Sequence, residues 1–191
     1  MTLKQMGTRS LKSQAWACHL LQNDAWAVLD VETTGLGPKA QPVEIAVVDS
    51  QGDLVFQSLI RPDGEVEPAA ARLHGLDAGA LASAPTFPEV YPEIRRALKD
   101  RTAIAYWAVF DRTILERACH KAGLPAAVER WECAYERYAA WRGFAVPLGT
   151  ACEIEGIPVS GRHRAEADAR LVWELVVRMG GSGSVSGHRI L

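Results

Sequence analysis

Two carboxylates interrupt an apolar stretch early in the chain. Residues 25–32 are apolar apart from Asp30 and Glu32, and such a run is typical of a buried strand. Residues two apart on a strand point to the same face, so both acids leave this strand on one side. Adjacent carboxylates repel each other, and one pKa rises unless a cation compensates. For the pair alone, acids that simply face water at a strand end remain an equally good interpretation.

A third carboxylate occupies an apolar position on a predicted helix. Asp111 precedes Ile114, Leu115 and Ala118 at the spacing i, i+3, i+4 and i+7, which marks the core-facing stripe of an amphipathic helix. An acid in the first turn of a helix is also stabilised by the helix dipole. For Asp111 taken alone, that second interpretation is the stronger one.

A fourth carboxylate repeats this arrangement near the end of the chain. Asp168 shares its stripe with Leu171, Val172 and Leu175, at the same spacing. Asp168 lies inside the helix, where dipole and capping explanations are weaker. A buried unpaired carboxylate is costly, so it needs a partner or a metal ion. Together, the four acids favour a shared site over four independent surface roles.

The ligand types indicate which metal such a site would hold. Four carboxylates without a cysteine ligand suit Mg²⁺ or Mn²⁺ better than zinc. Two such ions about 3.5–4 Å apart activate water and stabilise the leaving oxygen of a phosphodiester. His163 lies five residues before Asp168 in a charged, glycine-containing segment. Histidine ordinarily titrates near neutrality and could accept a proton there, although alone it would be an ordinary loop residue.

Composition limits the classes of protein that the chain could be. With 191 residues, 48% hydrophobic and 23% charged, it fits one globular domain with short extensions. The net charge of −2 argues against a protein that coats duplex nucleic acid with its whole surface. The four cysteines form no Cys-x-x-Cys pair, so neither a zinc site nor a disulfide framework is predicted. Without a long apolar run or a signal-peptide core, the expected location is cytoplasmic.

The pattern along the chain predicts an α/β fold. Three strands at 25–32, 43–49 and 54–60 form an antiparallel meander, and a fourth strand follows at 102–107. Strands that then alternate with helices indicate a mixed sheet of about five strands flanked by helices. Short helical pieces are expected in the loop 62–88, and longer helices at 89–99, 111–122, 133–141 and 165–179.

Two extensions flank the predicted domain, which spans residues 25–179. Residues 1–24 are expected to form a solvated leader helix, with one face at Leu11, Ala15, Cys18 and Gln22. Residues 180–191 are rich in Gly and Ser and predict a flexible tail.

Three segments together resemble a known family. Residues 28–35 (Val-Leu-Asp-Val-Glu-Thr-Thr-Gly), residues 106–111 (Tyr-Trp-Ala-Val-Phe-Asp) with Leu115, and residues 163–169 (His-Arg-Ala-Glu-Ala-Asp-Ala) are similar to the three motifs of DnaQ-like 3′→5′ exonucleases of the DEDDh group. That group includes the proofreading subunits of replicative polymerases. Residues 73–76 and 84–87 resemble the family's segment between its first two motifs. The likeness covers about residues 25–178.

The resemblance implies a ribonuclease H-like fold and a Mg²⁺- or Mn²⁺-dependent enzyme with two ions per active site. It implies that Asp30, Glu32 and Asp168 bind metal directly, that Asp111 assists, and that His163 is the general base. By the same analogy, the 3′-terminal nucleotide of a single strand, DNA or RNA, would be held by residues after the first strand and by one histidine: Thr33, Thr34, Gly35, Leu36 and His74. A loop histidine that packs under the sheet edge is an equally good interpretation of His74. A polymerase or another replication or repair protein is a further expected partner.

Trp107 departs from the family pattern, which usually has Asn at this position. The indole could stack on a base or fill the core, and we expect it in the core. Two other hypotheses remain open. One is a non-catalytic nucleic-acid-binding or polymerase-associated module on the same fold. The other is a structural protein whose inward acids are paired with arginines.

Overall fold

A mixed five-stranded sheet forms the centre of the molecule. The computed structural model describes the backbone of residues 3–181 and the side chains of residues 7–181. The strands lie in the order β3-β2-β1-β4-β5, where β1 is Trp26–Thr33, β2 Pro42–Asp49, β3 Leu54–Leu59, β4 Thr102–Ala105 and β5 Trp131–Cys133. The first three strands are antiparallel, whereas β4 runs parallel to β1, and β5 parallel to β4. The predicted mixed sheet and its antiparallel meander are therefore confirmed.

The central strand is apolar on both sides because helices cover both faces of the sheet. Alternate residues of β1 enter two different cores: Trp26 and Val28 one, Ala27 and Leu29 the other. All four side chains are fully buried. A strand buried on both faces appears in the sequence as a continuous apolar run rather than as an alternating one.

Eight helices are found between residues 3 and 181. They are α1 Leu3–Leu20, α2 Pro68–His74, α3 Ala78–Leu81, α4 Phe87–Ala97, α5 Ala108–Lys121, α6 Ala134–Arg142, α7 Leu148–Ile154 and α8 Ala165–Gly180. Helices α4 and α5 supply one core, and α1, α6, α7 and α8 supply the other. None of the helices in this described part combines the length and the apolarity that crossing a bilayer requires.

Several boundaries differ from the sequence prediction for local reasons. α4 begins at Phe87 rather than residue 89, because Thr86 and Glu89 form a capping box around its first turn. α5 begins three residues before Asp111, so this acid lies within the helix and not at its first position. The three-residue strand β5 and the seven-residue helix α7 were not located from sequence, since both are too short for a periodic pattern.

The leader forms the predicted helix, but the expectation of a solvated helix with its face at Leu11 and Ala15 is wrong. Leu11 and Ala15 are exposed, whereas Ala17 and Leu20 belong to the α8-side core. The indole of Trp26 also donates a hydrogen bond to the carbonyl of Leu20, over 2.8 Å, which fixes the end of the helix. From residue 182 onward, the predicted tail lies outside the described residues.

Candidate active site

The site lies where β1 extends beyond its pairing with the neighbouring strand β4. The β1–β4 pairing ends at Val28, and β1 continues five residues further, to Thr33. Asp30 and Glu32 lie on this extension and share the face of Trp26 and Val28, the face that α8 covers. The loss of the neighbouring strand leaves room at this edge for side chains from the helices.

Three carboxylates from two elements meet at this edge. Asp168 lies in the first turn of α8 and is only 9% exposed. One carboxylate oxygen from each of Asp30, Glu32 and Asp168 can be chosen so that the three atoms lie within 4.8 Å of one another. We call these three residues the carboxylate cluster. The predicted convergence of β1 with the last helix is present in the structure.

Asp111 enters the same region from the opposite face of the sheet. It is 5% exposed, in the first turn of α5, and hydrogen-bonds the backbone of Val31, between the two acids of β1. It is not one of the three residues whose oxygens converge within 4.8 Å. This position is compatible with the assisting role that was expected of Asp111.

Burial, and then mutual repulsion, determine how these acids titrate. Burial and then repulsion from the neighbouring acids raise the pKa of Asp30 well above its usual range. Burial and repulsion from Asp168 raise the pKa of Glu32 to about 7, and burial raises the pKa of Asp111 to about 7. Burial also raises the pKa of Asp168, although nearby Arg162 and His163 oppose the shift. Raised carboxylate pKa values in one cleft are typical of a functional site.

The donor set fits a divalent metal ion. The Oδ1 atom of Asp168 is buried and has no hydrogen-bond partner among the described residues. A buried polar atom without a partner is unusual in a folded protein and is explained if an ion is its partner. Hard carboxylate oxygens at this spacing are ligands that Mg²⁺ and Mn²⁺ accept. The cluster could therefore hold such an ion.

His163 is placed beside the cluster by an unusual backbone conformation. Its φ is 64°, a left-handed value that is uncommon for a residue other than glycine. In this conformation its backbone lies close enough to the carboxylate of Asp168 to oppose the rise of that pKa, so the histidine adjoins a cluster member. Such local strain is often found where a side chain must be aimed at a functional site.

Glu44 was missed as a site residue, although it organises the loop that carries His163. It lies opposite Glu32 in the β1–β2 register and is 1% exposed. The guanidinium of Arg164 donates to both of its oxygens, over 2.7 and 2.9 Å, and the N–H of Ala165 donates over 3.1 Å. Glu44 thus caps α8 in place of the N-cap residue, whose own side chain forms no cap.

The charge of Glu44 is stabilised, unlike that of its neighbour Glu32. Burial alone would raise its pKa, but hydrogen bonds from Arg164 and Ala165 lower it below the usual value. The hypothesis of inward acids paired with arginines thus fits Glu44 rather than the carboxylate cluster. A charged residue within the apolar run 43–48 was the available sequence signal, the same one that identified Asp30 and Glu32.

The turn after β1 is held from inside and exposes one large apolar side chain. Thr33 and Thr34 are buried, and the Thr33 hydroxyl donates to the Gly35 carbonyl over 2.7 Å. Leu36, in contrast, is 84% exposed. Beneath the turn, one ring nitrogen of His74 accepts the N–H of Leu76 and the other donates to the Thr33 carbonyl.

His74 is therefore used as a support in this structure. It is 4% exposed, and burial lowers its pKa although the bond to Thr33 opposes the shift. This favours the interpretation of a histidine that packs under the sheet edge. A direct contact between His74 and a nucleotide stays a prediction.

The expectation that Trp107 fills the core is wrong. Its side chain is 60% exposed and stacks on Phe110, with ring centroids 6.2 Å apart and an interplanar angle of 9°. The chain turns outward after Ala105, because β4 ends there and α5 begins at Ala108. Trp107 is the N-cap of α5, and its indole consequently projects into solvent beside the site.

Comparisons with known proteins match this site and fold. A family model described as an exonuclease, RNase_T, matches residues 27–176. An uncharacterized exonuclease of Escherichia phage 186 is 28% identical over 192 residues, 93% of this chain and 96% of the relative. The DNA polymerase III subunit epsilon of Treponema pallidum is 28% identical over 172 residues, 86% of this chain and 80% of that subunit. The chain spans only 12% and 18% of two longer bacterial relatives.

Solved structures agree with the predicted ribonuclease H-like fold. Exonuclease X in complex with 5′ overhanging duplex DNA matches with a TM-score of 0.66 and 26% identity, over 84% of this chain and 95% of that one. The nuclease domain of 3′hExo, a DEDDh family member bound to rAMP, has a TM-score of 0.67 and 19% identity, over 80% and 90% of the two chains. The fold prediction is confirmed.

Proposed function

The chain belongs to the RNase_T exonuclease family, and we propose that it removes nucleoside 5′-monophosphates one at a time from the 3′ end of single-stranded DNA or RNA. It is a nuclease of the DEDDh type. The proposal adds a direction, a substrate and a mechanism to that family membership. Its main support is the carboxylate cluster, in which a buried oxygen of Asp168 has no partner among the described residues.

Asp30, Glu32 and Asp168 would hold the divalent ions, and Asp111 would assist from the other side of the sheet edge. Two Mg²⁺ or Mn²⁺ ions in this position would lower the pKa of the attacking water and stabilise the departing 3′ oxygen. Without ions the acids repel one another, as their raised pKa values indicate. Ion binding would therefore reduce the repulsion between these carboxylates.

His163 would accept the proton of the attacking water. Its backbone adjoins the carboxylate of Asp168, and the Glu44–Arg164 pair fixes the adjoining start of α8. A positioned base of this kind contributes about 10²–10⁴ to a rate. The left-handed backbone at His163 is the conformation that the rest of the loop must maintain.

The turn after β1 would receive the terminal nucleotide. Thr33, Thr34 and Gly35 form a rigid, internally bonded turn, and the exposed Leu36 offers an apolar contact to a base. His74 would act from below by holding the Thr33 carbonyl. Since this turn directly follows the two metal-binding acids, a nucleotide bound there would have its phosphate beside the cluster.

The relatives extend the proposal to partners. Because they include a polymerase III epsilon subunit, we propose association with a DNA polymerase or another replication or repair protein. A cytoplasmic location is also part of the proposal, in line with four cysteines that are all unpaired.

The direct test is digestion of single-stranded DNA and RNA oligonucleotides, labelled at either end, with Mg²⁺ or Mn²⁺. We expect 3′-labelled strands to release labelled mononucleotide at once and 5′-labelled strands to shorten stepwise. Asp30→Asn should be inactive. Asp53→Asn, which changes an exposed aspartate in the β2–β3 turn, should act like the wild type.

Internal cleavage, release from the 5′ end, or equal activity in Asp30→Asn would contradict the proposal. Binding of the oligonucleotide in EDTA without cleavage after Mg²⁺ is added would instead support a non-catalytic binding module.

A further inference from the structure

We propose that Trp107 is a stacking platform for a base of the single-stranded substrate, close to the scissile phosphate. This inference rests on the proposed function and adds a substrate-positioning residue to it. Its starting point is the exposed indole at a position where a core residue was expected. An exposed aromatic ring at the sheet edge that carries the acids is a candidate contact for a base, since aromatic side chains stack on the bases of single strands.

The ring is already ordered for such a contact. The indole and the Phe110 ring lie nearly parallel, 9° from coplanar, with their centroids 6.2 Å apart. The indole is 60% exposed, which leaves ring surface open to solvent. Phe110 is one helical turn further along α5 and its N–H donates to the Trp107 carbonyl over 2.8 Å, so backbone and rings hold the pair together. A pre-ordered ring loses less entropy when a base stacks on it.

The platform lies at the edge of the sheet where the carboxylates meet. Trp107 is the N-cap of α5, and Asp111 follows four residues later in the same helix. Four residues of helix rise about 6 Å, which is the span of one or two nucleotides. β4 runs parallel to β1, so the end of β4 that leads into Trp107 lies at the same edge of the sheet as Asp30 and Glu32.

The neighbouring side chains favour a base over a protein partner. Val109, 61% exposed, is the other large apolar side chain at this helix start, and it adds little area beside one ring pair. Stacking on a base needs only one open ring face, whereas a stable protein interface needs a far larger contiguous surface. Every base has a stackable face, so the contact would suit either DNA or RNA.

The test measures binding separately from cleavage. The probe is a 5′-fluorescein oligodeoxythymidine roughly ten nucleotides long, a typical length for a single-strand site. Anisotropy is read with Mn²⁺ in the His163→Gln background, where all the acids are intact and turnover is not required. Trp107→Ala, Trp107→Phe and Trp107→Leu are compared, with Val109→Ala as the matched exposed control on the same turn.

We expect Trp107→Ala and Trp107→Leu to weaken binding about fivefold to thirtyfold, the effect of losing one base–aromatic stack. Trp107→Phe should stay within about threefold of the parent, since it keeps a ring. Val109→Ala should stay within about twofold, as expected for an exposed surface change. In the active enzyme, the same ring-less variants should raise KM more than they lower kcat.

Abasic substitutions along the oligonucleotide then locate the stacked base. When the base is missing at one position near the 3′ end, Trp107→Ala should no longer weaken binding. The parent protein has no base to stack on at that position, so the two affinities should be equal. Equal affinities of Trp107→Ala and the Val109→Ala control, or an undiminished loss at every abasic position, would overturn the platform. Failure of the wild type to digest the strand, with this coupling intact, would overturn the proposed cleavage and leave the platform supported.

Discussion

Buried acids in this protein fall into two groups that differ in one respect, the presence of a cation partner. Glu44 and Glu155 are almost fully buried and each faces an arginine: Arg164 binds Glu44, and Arg142 binds Glu155. Glu155 also accepts the hydroxyl of Tyr138 over 3.1 Å, which contributes to raising the pKa of that tyrosine to about 12, after burial. These acids are satisfied within the fold.

The carboxylate cluster has no comparable compensation. Its acids face one another, their pKa values are raised, and the Oδ1 atom of Asp168 has no partner among the described residues. Both groups carry the cost of burying a carboxylate. In the paired group, an arginine of the same chain offsets this cost. The unpaired group has no such partner, which indicates that it binds a ligand. The difference separates structural acids from functional ones more clearly than burial does.

Asp30→Asn is the strongest test of the difference between the two groups of acids. We expect the nuclease rate to fall at least about a thousandfold, since stabilisation by a bound ion amounts to several kcal/mol. In EDTA the free energy of unfolding should stay equal or rise, because one of the repelling charges is removed. Rates on an end-labelled strand and urea denaturation in EDTA measure the two effects. A variant that is less stable but fully active would place Asp30 in the structural group.

Glu155→Gln tests the paired group with the opposite expectation. The change keeps the side-chain volume but removes the charge that faces Arg142, which is 38% exposed and can partly return to water. We expect a loss of about 2–3 kcal/mol in unfolding free energy, the range of a charge-assisted hydrogen bond. The rate per folded molecule should stay within about twofold.

A triple variant, Glu155→Met with Arg142→Met and Tyr138→Phe, serves as the matched control for Glu155→Gln. It should recover much of the lost stability, since replacing all three partners leaves no buried charge or hydroxyl unpaired. Loss of cleavage without loss of stability in Glu155→Gln would contradict the structural assignment.

Glu44→Gln tests whether an acid that is paired with an arginine can also contribute to catalysis. The variant weakens the hold on Arg164 and on the N–H of Ala165, and so on the segment that carries His163. We expect about a tenfold fall in kcat with KM within about twofold, corresponding to about 1.4 kcal/mol in the transition state. Arg164→Met should give a similar kcat effect, and an unchanged kcat in both variants would make Glu44 purely structural.

The acids of the site were predictable because they break apolar patterns. Asp30, Asp111 and Asp168 occupy positions where strand or helix periodicity calls for apolar side chains, and His163 gained weight only from its spacing to Asp168. Glu44 broke the pattern of its strand in the same way, but its meaning depends on Arg164, 120 residues away in sequence. No local pattern reports such a pairing.

Trp107 shows the other limit of sequence patterns. An indole next to a buried strand predicts core, and only the end of β4 at Ala105 turns the chain outward. The leader helix failed similarly, because its buried face is selected by α6 and α8 rather than by its own periodicity. Elements whose packing partners are distant in sequence are those that local reasoning misplaces.

The last expected effect concerns pH and again separates the two groups. The raised pKa values of Glu32 and Asp111, both about 7, mean that the metal-free folded state retains protons that the unfolded chain has released. Their contribution to stability is therefore complete in acid and is lost as pH rises through about 7. Glu44 has the opposite sign, because its lowered pKa gives a stability that is lost only in more acidic solution.

Between pH 5.5 and pH 8 we therefore expect the Tm in EDTA to fall by at least about 4 °C, since one such proton alone corresponds to about 2 kcal/mol over this window. Excess Mn²⁺ should abolish the fall, because ion binding competes with those protons and strengthens as they leave. Glu32→Gln should flatten the slope in EDTA, whereas Glu155→Gln should lower the Tm at both pH values and keep the slope. A rise in Tm across this window in EDTA would mean that the cluster is already compensated from within the fold, which would remove the distinction between the two groups of acids.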